Sequence, residues 1–138
     1  MRHSYQIGCS LVNLRGIREF IRESLSSSLK SEVSTDEIVL ALDEMCSNLM
    51  IHAHRCNPDH QIMLTVDTSE QGLLVFEISD SGFTFDINAF SEPELNQLVH
   101  DKRKGGLGIR LVKTIMDRIE YINREGKMVC RLSKRIIQ

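Results

Sequence analysis

Two pairs of short alternating runs constrain this chain more than any other feature. Residues 61–67 place Ile62, Leu64 and Val66 at every second position, and residues 73–79 follow after Ser69-Glu70-Gln71-Gly72. Residues 118–124 and 127–133 flank Glu125-Gly126 in the same manner. Alternation with period two marks half-buried strands, and Gly-containing turns of this length join neighbours. A parallel connection needs a dozen or more residues. Each pair must therefore close as an antiparallel hairpin, and any fold has to hold two of them.

The rest of the chain reads mainly as helix. Residues 4–9 form a short first strand. Over residues 13–29, Leu14, Ile17, Phe20, Ile21 and Leu25 recur at helical spacing, with Arg15, Arg18 and Arg22 on the other face as plain surface. Ser34-Thr35-Asp36-Glu37 fits a capping box that starts a second helix. Ile38, Leu42, Met45, Leu49 and Ala53 carry that helix to about residue 55. Residues 81–104 look irregular apart from a short helix near 91–99, and a loop of that length is usually functional or mobile. Leu111, Val112, Ile115 and Met116 then define a third helix after Gly105 to Gly108. The order β-α-α-β-β-loop-α-β-β predicts an α/β (α+β) two-layer sandwich. Its sheet would be mixed, mainly antiparallel, with three helices on one face.

A chain of 138 residues with 41% hydrophobic content suits one domain over residues 1–138. Net charge is −2, which gives no reason to expect nucleic acid. No apolar run approaches the roughly 18 residues of a membrane span. The start, Met1-Arg2-His3-Ser4-Tyr5-Gln6, lacks the apolar centre of a signal peptide, so a cytoplasmic protein is expected. Cys9, Cys46, Cys56 and Cys130 form no CxxC pair and read as buried small residues.

Three clusters remain for chemistry. Glu44 and Asn48 are four apart, on one helix face and about 6 Å apart along the axis, with His52 continuing the row. Amid apolar neighbours such groups cost free energy unless partnered. They form either a solvated strip, an amide bonded to a nearby loop, or a magnesium site with a base beside it. Asp80-Ser81-Gly82 ends a strand. It is an ordinary turn or an acceptor for an exocyclic amine, with Gly82 permitting close approach. Gly105-Gly106-Leu107-Gly108 opens a helix, as a hinge or as a phosphate cradle. No Lys-Ser/Thr follows it, which excludes a Walker loop. Lys102, Arg103 and Lys104 precede it, as solvated surface or as phosphate partners.

Taken together these clusters resemble the GHKL ATPase superfamily, and within it the bacterial anti-sigma-factor serine/threonine kinases. Ala41 to His54 is similar to that family's N box, Asp80 to Asp86 to its G1 box, and Gly105 to Asp117 to its G2 box and helix. The resemblance covers about residues 5–134 and implies a Bergerat ATP-binding fold. It implies ATP and Mg²⁺ as cofactors, with Glu44 as base toward a substrate serine and Asn48 as metal ligand. It further implies that Asp80 reads adenine beside Gly82, and that Lys104, Gly105, Gly106, Leu107 and Gly108 hold phosphate below a lid of residues 83–105. A sigma factor and an antagonist protein are the implied partners, and a homodimer the implied state. An ATP-gated binding module without phosphotransfer is the alternative, and a scaffold that has lost nucleotide a third. Two departures stand out: Lys127 follows Gly126 where the family often has Thr, and His54 stands where it often has Tyr.

Overall fold

The structure is a computed structural model and describes residues 1–26, 32–53, 59–80, 108–125 and 127–136. In chain order it holds β1 (Arg2–Gly8), a 3₁₀ turn (Leu11–Asn13), α1 (Leu14–Leu25), α2 (Glu32–Asn48) and a π-helical segment (Leu49–Ala53). Then come β2 (Gln61–Asp67), β3 (Leu73–Asp80), α3 (Gly108–Ile115), β4 (Arg118–Arg124) and β5 (Lys127–Arg135).

Both hairpins form, with Leu64 opposite Ile78 in one and Tyr121 opposite Cys130 in the other. They join through β3 and β5, where Phe76 faces Leu132. β1 adds to β2, with Ile7 opposite Ile62. The strand order is β1-β2-β3-β5-β4, and every pairing is antiparallel rather than mixed. Gly72 takes a positive φ of 81° in the first turn, and Glu125 one of 55° in the second. Gly meets that demand without steric cost.

One sheet face is buried. Ile62, Leu64 and Val66 of β2, Leu74, Phe76 and Ile78 of β3, and Cys130 and Leu132 of β5 point into the core. Ile17, Ile21 and Leu25 of α1, Ile38, Leu42, Met45 and Cys46 of α2, and Val112 and Ile115 of α3 close over them. Burial of this kind stabilises by about 25 cal/mol per Å² of apolar surface. α2 lies between α1 and α3 and packs against both. Cys9, Cys46 and Cys130 are buried and form no disulfide with one another, while Cys56 lies outside the described residues.

Several sequence expectations need correction. β1 spans Arg2–Gly8, not residues 4–9. α1 begins only after the 3₁₀ turn and ends at Leu25. Ser34 is not an N-cap, because α2 already begins at Glu32. Acidic residues 32, 36 and 37 populate its opening turns, where the helix dipole favours negative charge. Asp36 is also turned toward α1, where the Arg22 guanidinium donates to it at 2.6 Å. Arg18 donates to Asp43 at 2.8 Å, so two of the three α1 arginines tie α1 to α2 instead of facing only solvent. α3 starts at Gly108, and residues 81–107, including the expected helix near 91–99, lie outside the described residues. Its C-terminal end turns straight into β4. There the Lys134 ammonium donates to the Ile115 carbonyl at 2.8 Å, a favourable charge at a helix C-terminus.

Candidate active site

α2 owes its position to an apolar face sandwiched between α1, α3 and the sheet. Two polar side chains interrupt that face. Glu44 and Asn48 are each only 1% exposed. This removes one of the simple readings, a solvated strip at the helix edge. Ser47, also buried, satisfies itself locally by donating from Oγ to the Glu44 carbonyl at 3.1 Å. Asn48 has no such solution: its buried Nδ2 has no hydrogen-bond acceptor among the described residues. A buried amide donor left in that state costs about 1–3 kcal/mol. Sites of this kind in a packed core are expected where a ligand completes the bonding.

The helix changes character at this residue. α2 ends at Asn48 and the backbone continues as a π-helical segment over Leu49–Ala53. Wider i→i+5 turns are rare and are frequent at functional positions. They also depart from the uniform 3.6-residue spacing on which the row Glu44, Asn48, His52 is expected; the His52 side chain lies outside the described residues. Spacing arguments assume one kind of helix and miss such a switch.

The second and third clusters are placed in part. Asp80 is the last residue of β3, paired with Ile62, rather than the first of a turn. β3 is the middle strand of the five. Gly108 is the first residue of α3, the helix packed beside α2. The fold thus sets the helix bearing Glu44 and Asn48 against the helix that follows the glycine run. Gly82, Lys104, Gly105, Gly106 and Leu107 lie outside the described residues, as does His54.

Among the described residues, no group of three His, Cys, Asp or Glu side chains is arranged to hold a metal. Magnesium does not need one. It prefers oxygen donors, keeps several waters, and usually takes one or two protein oxygens plus phosphates. Asn48 offers a carboxamide oxygen of the type such an ion takes, while its unbonded Nδ2 suits an acceptor such as a phosphate oxygen or water.

Comparison with known proteins agrees with the architecture. Residues 9–134 match the family described as the histidine kinase-like ATPase domain. Among curated proteins, the serine-protein kinase RsbW of Bacillus cereus is 28% identical over 98 residues, covering 68% of this chain and 60% of the relative. The protein of that name from Halalkalibacterium halodurans is 29% identical over 95 residues, covering 66% and 57%. The chain therefore spans about 60% of the length of these curated relatives. A crystal structure of the RsbU and RsbW domains of Rv1364c from Mycobacterium tuberculosis superposes with a TM-score of 0.64. That likeness covers 98% of this chain and 32% of that one at 14% identity, a likeness of fold. A five-stranded antiparallel sheet under three helices, a buried Glu-Asn face and a family match across nearly the whole sequence lead to one assignment: the chain belongs to the histidine kinase-like ATPase domain family, the GHKL group.

Proposed function

We propose that this domain binds ATP with Mg²⁺ and transfers the γ-phosphoryl group to a serine or threonine of a small antagonist protein. In its other state it would hold a sigma factor inactive. The observation that carries the reading is the buried polar pair on α2, Glu44 and Asn48, in a chain of this ATPase family. The relatives named serine-protein kinase support the choice of a hydroxyl as acceptor.

In the proposed reaction Glu44 accepts the proton of the attacking hydroxyl. The hydroxyl oxygen bonds to the γ-phosphorus as the bond to the ADP oxygen breaks. Asn48 would hold Mg²⁺, which neutralises charge on the phosphates. Asp80 would accept from the adenine amino group beside Gly82, and the Lys104–Gly108 run would face the phosphates. Phosphoryl transfer asks little covalent chemistry of a protein, so placement and charge neutralisation would carry the rate.

The test uses the full chain, labelled ATP and a candidate antagonist encoded nearby. Glu44→Gln should keep Mg-ATP binding by calorimetry and lose phosphoserine or phosphothreonine formation by at least about a hundredfold, the usual scale for a general base. Asp80→Asn should weaken binding itself. If wild type and Glu44→Gln regulate the partner equally, with no transfer by either, the domain is an ATP-gated binding module instead. A homodimer is part of the proposal. Light scattering that finds only monomer at about tens of micromolar, near common dimer affinities, would refute that part.

A further inference from the structure

The sheet face away from the helices carries its own chemistry. By strand register it displays Arg2 of β1, Asp67 of β2, Glu77 of β3, Arg131 and Arg135 of β5, and Arg118, Glu120 and Arg124 of β4. Five arginines thus stand against three carboxylates, on a chain whose net charge is −2. These side chains leave the face with a basic excess of two.

Glu77 organises it. Its side chain is 14% exposed, and Arg124 grips both carboxylate oxygens in a fork at 3.1 Å each. Arg2 and Arg131 approach at 3.6 and 4.0 Å, attracted but beyond hydrogen-bond distance. Among the described residues neither of these two guanidinium groups donates a hydrogen bond. Each offers five N–H donors. With Arg124 they line a cavity of about 280 Å³ that also holds Thr65, Val75 and the carboxylates of Asp67 and Glu77, so three arginines face two acids there. Exposed Met63 adds apolar surface nearby.

We propose that this face docks an acidic segment of a partner protein, one carboxylate of which sits between Arg2 and Arg131. The complementarity is with a carboxylate, because two guanidinium groups are held in place by a carboxylate already bonded to a third. No aromatic ring lies on this face among the described residues, so it lacks the stacking platforms by which single-stranded nucleic acid is held. The docking rests on the fold alone and needs no nucleotide.

The experiment titrates a fluorescein-labelled Glu-rich peptide into the full chain and maps amide shifts by NMR. Shifts should cluster on β1, β2 and β5. Arg2→Gln and Arg131→Gln should each weaken binding about tenfold, the scale of a lost charge-assisted contact. Arg131→Lys should restore part of it. Arg15→Gln on α1, an 83% exposed arginine, should leave binding unchanged. Thermal melts confirm that each variant is folded. Shifts confined to the helices, or equal binding by Arg131→Gln and wild type, would overturn the proposal. Tighter binding of an oligothymidylate or of phosphatidylserine vesicles at this face would overturn it too, as would a self-association that buries the face.

Discussion

Replacing Asn48 by leucine should make the ligand-free protein more stable and, at the same time, unable to use it. Asn48 is 1% exposed and its Nδ2 has no acceptor among the described residues. Removing an unsatisfied buried donor returns about 1–3 kcal/mol. Leucine branches at the same carbon as asparagine, so shape is nearly kept, and the larger methyl groups cost about 1 kcal/mol of packing strain. The net expectation is a gain of up to about 2 kcal/mol, or up to about 6 °C in Tm for a chain of this size. Urea unfolding in EDTA without nucleotide measures it as a higher midpoint at unchanged slope. Calorimetry on the same samples should show loss of Mg²⁺-dependent ATP binding. The order of stability should then invert when nucleotide is added. On the proposed function, ATP at about a hundred times Kd should stabilise the wild type by about 2.7 kcal/mol and the variant not at all. A variant less stable than wild type by more than about 1 kcal/mol would refute the reasoning. The amide would then be holding the core together, not waiting for a ligand.

The remaining outcomes concern the sheet and the first helix. Glu77→Gln should cost about 1 kcal/mol at neutral pH, the figure being small because the arginine partners are 42–61% exposed. The hydrogen bonds from Arg124 hold the Glu77 carboxyl below the usual glutamate range. A lowered folded-state value stabilises above the ordinary pKa and loses that contribution as pH falls through the folded one. The gap between wild type and variant should therefore be full at pH 7 and close in urea titrations below about pH 4; a gap that persists in acid would contradict this. Gly16→Ala would set a new Cβ 2.7 Å from the Tyr5 hydroxyl oxygen, whose ring stacks on Phe20 at 5.1 Å. Alone it should bring no gain in thermal melts. In a Tyr5→Phe background the clash disappears, and the helix preference for Ala over Gly should return about 0.5–1 kcal/mol.

Local pattern carried the hairpins and the helix faces. Ile62, Leu64 and Val66 alternate because one sheet face is buried, and that regularity is visible without coordinates. Pairings over long separations were not visible. Arg124 meets Glu77 across 47 positions, and no local period connects them. Likewise Arg18 and Arg22 look like surface charges until α2 presents Asp43 and Asp36 to them. The Glu44–Asn48 spacing was legible as one face, but its near-complete burial was not, since that depends on α3 lying alongside. Ser34 misled because a hydroxyl followed by Glu37 resembles a cap wherever it occurs, while tertiary contacts decide where a helix begins. The π-helical segment has no sequence signal of comparable strength, because apolar residues suit either turn width.

The union of β3 with β5 has a kinetic meaning. β2 and β3 can pair early around one tight turn, and β4 with β5 around another, each with modest loop closure. Their zippering, from Ser79 opposite Val129 to Leu73 opposite Arg135, brings together positions about fifty or more residues apart. That closure and the addition of β1 to β2, with Arg2 opposite Asp67, are the two long-range pairings in assembling this sheet. The cost of the intervening stretch grows only with the logarithm of its length, about 0.6 kcal/mol per doubling. Lengthening the chain between Asp80 and Gly108 should therefore slow folding modestly, shortening it should speed folding slightly, and the finished sheet should stay nearly as stable.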